Sequence, residues 1–443
     1  MQRQGLRHPA RLIPIGFLCV ILAGTGLLML PAATTGDGSA PLLTALFTST
    51  SAVCVTGLVV VDTPTYWSTF GLVIIMGLFQ IGGFGIMAGA TLMGLLVAGR
   101  LNLGTRLAAQ HDTRLGLGSV GGVVRIVLTA TVLVEFLTFI VLTLRLHFGY
   151  GFDWGEALWH GGFQAVSAFN NAGFSTWSDS LMGFASDPWM IGSISFAVVL
   201  GGLGFPVLYE LRHKGFSYRR WSVHAKITLL GSAVLVAGGA VLIALFEWNN
   251  PATLGDKNLV GKLLSVFFEA VTARTAGFNS IDTGGMTLES QSANWAMMFI
   301  GGGSAGTAGG IKITTFFLLG FAVWSQIRGE SDTIAFNRRI PNETIRLALT
   351  VVLLALTLLA FGTLALMSVT DFPLNDVIFE AVSATATVGL STGITGDLPP
   401  AGQVIIILLM FIGRVGSVTV ATALALRARS RLYRYPEERP IVG

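Results

Sequence analysis

An α-helix needs about 20 predominantly apolar residues to cross the hydrocarbon core of a bilayer. Eight runs of that kind punctuate this chain, at residues 12–31, 69–98, 124–146, 188–211, 225–247, 295–323, 345–369 and 403–426. The rest of the composition agrees: 11% of residues are charged and 52% hydrophobic, against about 25% charged in ordinary soluble domains. A soluble fold with so little charge would expose apolar patches and aggregate. The dominance of apolar residues equally excludes a disordered chain, and no Gly-X-Y period supports a collagen-like one. Arg3, Arg7 and Arg11 precede the first run as they would in a signal peptide, but no small-residue cleavage site follows, so a genuine span is expected there. The chain reads as an all-α polytopic membrane protein with eight transmembrane spans.

The few charges are placed asymmetrically. Of 27 Lys and Arg residues, 21 lie before the first run or after the second, fourth, sixth and eighth, among them Arg100, Arg212, Arg328 and Arg427. The other links carry Asp153, Glu156, Asp179, Asp187, Asp256, Asp371 and Asp376. The positive-inside rule then predicts cytoplasmic termini and a multi-pass protein of the plasma (inner) membrane. The net charge of +4 is accounted for by topology, and no nucleic-acid partner is expected. Cys19 and Cys54 lie in apolar surroundings and imply neither a disulfide nor a metal site.

Each outward-facing link is too long and too apolar for a turn. The links read LFTSTSAVCVTGL (46–58), WHGGFQAVSAFNNAGF (159–174), LLSVFFEAVTARTAGF (263–278) and VIFEAVSATATVGL (377–390), each a short helical stretch closing on small residues, a glycine and an apolar residue. The closing glycines, Gly57, Gly173, Gly277 and Gly389, are 116, 104 and 112 residues apart. A common period of this size predicts four tandem helix–pore loop–helix repeats, at 1–98, 99–215, 216–330 and 331–427, with a cytoplasmic tail at 428–443.

Non-helical backbone at membrane depth is tolerated only where protein buries it or water wets it. Four re-entrant loops are therefore expected to meet on one pseudo-fourfold central pore. There the carbonyls of Val55, Thr56 and Gly57, of Asn171, Ala172 and Gly173, of Thr275, Ala276 and Gly277, and of Thr387, Val388 and Gly389 can replace a cation's hydration shell. Helix C-termini aimed at that axis add negative potential. Close helix packing through small residues is the plain alternative for these glycines, though it does not by itself produce a fourfold recurrence in matching loops.

In these residues the chain resembles the Trk/Ktr/HKT potassium transporter superfamily, most of all its shorter KtrB-type membrane subunits, over about residues 12–427. SAVCVTGL (51–58), TARTAGFNS (272–280) and ATVGLSTG (386–393) are similar to that family's filter segments. The resemblance implies four units around one pore, each like one subunit of a tetrameric potassium channel. It implies K+ as the transported ion, since all four filter positions are glycine, and K+ bound at the filter carbonyls as the only metal. It also implies a homodimer in the lipid bilayer, regulated by a cytosolic nucleotide-binding ring of the KtrA or TrkA type. The copies differ: repeat two reads Asn170-Asn171-Ala172-Gly173, repeat three carries Arg274 beside its glycine, and only repeat one has Thr-Gly. Less symmetric coordination follows, with some sodium passage.

The sixth run contains Gly301, Gly302, Gly303, Ser304, Ala305, Gly306, Thr307, Ala308, Gly309 and Gly310, then Ile311 and Lys312. Each glycine in a helix interior costs about 1 kcal/mol relative to Ala, so the helix must break. The break resembles the family's intramembrane gating loop, and Arg414 in the eighth run resembles its pore-blocking arginine; a passive hinge and structural ion pairs are the plain readings. Shorter breaks are expected at 81–85, 201–205 and 413–417. Glu269 and Glu380 are expected to anchor the loops.

No enzyme is legible. GLGSVG (116–121) follows no strand, the run ending at Lys312 lacks the Gly-Lys-Ser/Thr order of a phosphate loop, and the six histidines have no ligand spacing. No organic cofactor is expected. The functional expectation is the pore-forming subunit of a K+ uptake system, the alternative a sodium- or proton-coupled secondary solute transporter.

Overall fold

The computed structural model describes residues 9–98, 120–215 and 217–426, with 436 and 438. The basic links at residues 3–7 and 99–119, most of GLGSVG and the tail beyond 426 lie outside this set, those two positions excepted.

In hydrocarbon, a helix satisfies its own backbone without water, and the fold is helical nearly throughout. The chain passes through α1 (Pro9–Leu28), α2 (Leu42–Val53) and α3 (Thr69–Ala98), then α4 (Val120–Tyr150), α5 (Trp154–Asn170), α6 (Pro188–Leu203) and α7 (Phe205–Lys214). It continues through α8 (Val223–Glu247), α9 (Leu259–Thr272), α10 (Leu288–Phe299) and α11 (Ile313–Ile327). A small antiparallel hairpin, β1 (Thr333–Ala335) and β2 (Arg338–Ile340), precedes α12 (Asn342–Met367), α13 (Leu374–Ala386) and α14 (Pro400–Leu426).

A long helix, a short helix and a second long or broken helix recur in that order, and the members of each set pack together. Contacts also run from set to set: α3 touches α4 and α5, α6 touches α9, α10 touches α13, and α14 touches α1 and α2. The buried core holds the short helices, with Phe47, Phe163, Phe169, Phe268 and Phe379 fully enclosed. The outward faces are apolar instead of charged; Leu245 is 70% exposed and Phe361 68%. Apolar side chains facing out from four helices this long identify a membrane protein.

Among the described residues, four helical stretches are long and apolar enough to cross a bilayer: Thr69–Thr91, Val124–Tyr150, Val223–Glu247 and Asn342–Met367. The pair α6 and α7, bent by 98° at Gly204, makes a fifth. Ile13–Leu28, Ile313–Ile327 and Pro400–Gly416 are apolar but shorter. The sixth expected span differs most, because its helix stops at Phe299 and resumes only at Ile313.

Two of the three shorter breaks expected from sequence are absent. α3 runs unbroken through 81–85 and α14 through 413–417; only Gly204 interrupts its helix, at φ +90°. The glycines serve approach instead of bending. A Cβ on Gly82 would lie 2.1 Å from Val53 O, one on Gly201 1.9 Å from Phe169 O, and one on Gly413 1.9 Å from Thr385 O. These three carbonyls end α2, α5 and α13, each four residues before the closing glycine. Glycine's helix penalty of about 1 kcal/mol is accepted where a side chain would push the short helix away.

Candidate functional site

Each short helix ends in a left-handed residue two positions before the closing glycine. Val55 has φ 55°, Asn171 57°, Thr275 78° and Thr387 50°, and the glycines follow at 92°, 71°, 75° and 101°. A non-glycine residue in this region costs about 1–3 kcal/mol and persists only when its surroundings enforce it. Four occurrences in one register are enforced alike. The backbone N–H of Thr56, Ala172 and Val388 donates to the carbonyl of Ser51, Ser167 and Ser383, each at 2.8 Å, and Ala276 N donates to Thr272 O at 2.9 Å.

The hydroxyls of the same four residues tie down the rest of each segment. Gly57 N donates to Ser51 Oγ and Gly389 N to Ser383 Oγ, both at 3.1 Å. Ser167 Oγ donates to Phe174 O (2.7 Å) and Thr272 Oγ1 to Phe278 O (2.8 Å). These hydroxyl residues were missed in the sequence, though their signal is present: a Ser or Thr six residues before the glycine in three repeats and five in the third, which is one residue shorter.

The four glycines come together in cyclic order. A Cβ on Gly57 would lie 2.5 Å from Ala172 O and 3.1 Å from Gly173 Cα; on Gly173, 3.0 Å from Ala276 O and from Gly277 Cα. On Gly277 it would lie 2.4 Å from Val388 O and 3.1 Å from Gly389 Cα; on Gly389, 2.1 Å from Thr56 O. Each glycine thus meets the carbonyl just before the next glycine, and the fourth closes on the first. A side chain at any of them would strike backbone, and positive φ disfavours one independently.

Behind this ring the segments are pinned by carboxylates. Glu269 Oε1 accepts from Ser280 N and Oγ, and Glu380 accepts from Ser391 Oγ and, at 2.9 Å, from Thr395 Oγ1. The expected anchoring role is observed. Arg274, next to the third segment in sequence, donates to Ser232 O and Oγ on α8, so its charge is turned to the scaffold.

Residues 300–312 form a folded loop against the underside of these segments. Ile300 and Ile311 pair as a parallel bridge, and Gly301 N donates to Ile311 O at 3.0 Å. Gly303 N and Thr307 N donate to Gly202 O and Gly201 O, while Phe205 N reaches Ala305 O, so the loop fills the bend between α6 and α7. Its tip engages the left-handed residues. Thr307 Oγ1 lies 3.2 Å from both Asn171 Oδ1 and Phe169 O, and Gly309 N donates to Thr275 Oγ1 at 3.0 Å. A Cβ on Gly309 would lie 2.1 Å from Ala386 O and from Thr387 Oγ1. The glycine run therefore supplies close approach on several sides. Lys312 Nζ donates to Ala308 O at 2.7 Å, and buried Arg414 lies close enough to interact electrostatically with Lys312 and Cys54.

The expected loop residues and the 301–312 segment with Arg414 thus lie close together, and the carbonyls of Thr56, Ala172, Ala276 and Val388 close a ring with the four glycines. Residues 13–433 match the protein family TrkH, described as cation transport protein. The chain belongs to this family. It is 40% identical to Ktr system potassium uptake protein B of Bacillus subtilis, covering 98% of this chain and 97% of that one. Identity is 36% to the protein of the same name from Vibrio alginolyticus (98% and 94% covered) and 35% to potassium/sodium uptake protein NtpJ of Enterococcus hirae (98% and 97%). The fold is similar to the crystal structure of the potassium transporter TrkH from Vibrio parahaemolyticus, with a TM-score of 0.74, 16% identity and 97% and 86% coverage. The family is one of cation transporters and not of enzymes.

Proposed function

We propose that the chain is the pore-forming subunit of a potassium uptake system and that K+ crosses through the ring of carbonyls at Gly57, Gly173, Gly277 and Gly389. The observation that carries this reading is the cyclic approach of each glycine to the carbonyl preceding the next. Neutral carbonyls at a closed ring can replace the hydration shell of a monovalent cation, and among the described residues no ion pair competes for them. Val55–Gly57, Asn171–Gly173, Thr275–Gly277 and Thr387–Gly389 are the filter, arranged with pseudo-fourfold symmetry by four repeats and eight spans at the boundaries given above. The names of the relatives support potassium; that of NtpJ supports sodium as a second ion.

Residues 301–310, with Lys312 and Arg414, form the gate, since they lie directly under the filter with two basic side chains. Both termini face the cytoplasm of the plasma membrane, two copies pair, and a cytosolic nucleotide-binding ring acts on the gate. The membrane potential drives uptake at about 2.3 kcal/mol per charge per 100 mV.

Rubidium or potassium flux into liposomes, with sodium competition, tests this on the wild type and Gly57→Ser. The substitution should lower the preference for K+ over Na+. An unchanged preference would overturn the filter, and flux strictly tied to a co-substrate would establish the coupled-transporter alternative.

A further inference from the structure

The apolar span Val124–Tyr150 of α4 carries a single acidic side chain, Glu135, near its middle. Leu133, Phe136 and Leu137 around it face outward, Thr131, Val134 and Thr138 are buried, and Glu135 is half-buried between the two faces. A carboxylate at this depth is costly and is retained where it has a task. Among the described residues no ion pair includes it; two amides hold it instead. Gln80 Nε2 on α3 donates to Glu135 Oε2 at 3.3 Å, and Asn170 Nδ2 at the end of α5 donates to Glu135 Oε1 at 3.2 Å. The same Asn170 nitrogen donates to Gln80 Oε1 and to Val166 O.

A carboxylate only accepts, so Glu135 decides which end of each amide faces it. The Gln80 nitrogen is committed to Glu135, which leaves its oxygen for Asn170, and the Asn170 oxygen is turned the other way, toward Gly83. A Cβ on Gly83 would lie 2.1 Å from Asn170 Oδ1, so the glycine pair of α3 serves two short helices: Gly82 admits Val53 O, and Gly83 admits the Asn170 side chain. Asn170 stands directly before left-handed Asn171 and three residues before Gly173. Fixing its side chain therefore fixes the point where α5 gives way to the second segment. The corresponding residues of the other segments are Cys54, Arg274 and Ala386, none of them an amide. The serine hydroxyls of the first and fourth segments hold the glycine amide, whereas the Ser167 hydroxyl goes to Phe174 O.

We propose that Glu135 is a positioning residue for the second filter segment: through Gln80 and Asn170 it sets where Asn171–Gly173 stands, and so contributes to the choice between K+ and Na+ without touching the ion. The proposal rests on the filter reading above and extends it to a side chain of a membrane span that gives no atom to the ring. The effective property is the pair of acceptor oxygens and not the negative charge.

Potassium and sodium flux into liposomes are measured for Glu135→Ala, Glu135→Gln, Asn170→Ala and the double variant Glu135→Ala with Asn170→Ala, with the melting temperature of each in detergent. Glu135→Ala should lower the ratio of K+ to Na+ flux about fivefold, the equilibrium worth of one net hydrogen bond. Glu135→Gln, whose amide oxygen still accepts from Asn170, should restore most of the ratio although the charge is gone. Asn170→Ala should match Glu135→Ala, and the double variant should be no worse than either, because both break one link. A merely structural loss lowers melting temperature and total flux and leaves the ratio alone, so an unchanged ratio in Glu135→Ala would overturn the proposal. Glu135→Gln as impaired as Glu135→Ala, or losses that add in the double variant, would overturn it too and assign the effect to the charge. Gly57→Ser in the same assay separates the two readings: a shifted ratio there with none in Glu135→Ala defeats the role of Glu135 alone, and no shift in either defeats the filter as well.

Discussion

The cyclic geometry makes a graded prediction. Substituting alanine for each ring glycine adds one methyl group, and the structure gives the obstacle it meets: a carbonyl oxygen at 2.1 Å for Gly389, 2.4 Å for Gly277, 2.5 Å for Gly57 and 3.0 Å for Gly173. Ordinary carbon–oxygen contact begins near 3.3 Å, so Thr56 O must retreat by about 1 Å in Gly389→Ala and Ala276 O by only about 0.3 Å in Gly173→Ala. Positive φ adds about 1–3 kcal/mol of strain at each position, so it contributes to every variant and does not rank them. Displacement of a coordinating carbonyl does rank them. The ratio of K+ to Na+ flux in liposomes should fall most in Gly389→Ala, less in Gly277→Ala and Gly57→Ala, and least in Gly173→Ala. Gly238→Ala on α8, where a Cβ meets nothing within 4 Å, is the control: flux unchanged and stability unchanged or raised by up to about 1 kcal/mol. A flat or inverted order among the four, with each protein folded, would refute the reasoning that these carbonyls set selectivity.

Thr307→Val removes the hydroxyl that bridges the loop to Asn171 and Phe169; a loss of about 1 kcal/mol should raise basal flux about fivefold without a regulator, and flux equal to wild type would count against the loop as the gate. Glu380→Ala strips the shared acceptor from Ser391 and Thr395 and should cost about 2–4 kcal/mol, seen as a lower melting temperature in detergent, with Glu380→Gln milder. Just before α6, Asp187 is subject to burial, which raises its pKa, but Arg145, Tyr150 and the Trp189 and Met190 amides together hold it below the ordinary carboxylate value. Its stabilising contribution is therefore present above about pH 4 and lost as pH falls further, so the melting-temperature deficit of Asp187→Asn should be visible at pH 7 and shrink in acid; a deficit independent of pH would contradict this.

The closing glycines could be read from the chain because their chemistry is local: a fixed spacing, small residues and a position outside any helix. The glycines at 82 and 413 were misread for the opposite reason. A glycine pair within an apolar run looks like a break, but here each accommodates a carbonyl from a helix end far away in sequence, Val53 or Thr385, and no local pattern reveals that. The loop at 301–310 combines both cases. Its breaking of the helix is written in its composition, whereas its fold depends on the bend at Gly204 and on Asn171 and Thr275, residues more than 30 positions away. The acceptor of Arg274, Ser232 on α8, is likewise distant in sequence and has no local signal.

The asymmetry of the repeats follows from where the loop sits. It emerges from the third helix set and touches left-handed residues of the second, third and fourth sets, each of which carries an oxygen in its side chain, Asn171, Thr275 and Thr387. The first repeat has Val55 there, and the adjoining Cys54 faces the buried charge of Arg414 instead. An oxygen at position 55 would face no loop donor and would sit near a fixed cation. The side chains that meet the loop differ among the four copies, while the backbone ring above them keeps glycine in every copy. Val55→Thr would add a hydroxyl at the left-handed position of the first segment; on this argument it should leave the order of the ring-glycine variants untouched, and a variant that changed that order would show that the two levels are not separate.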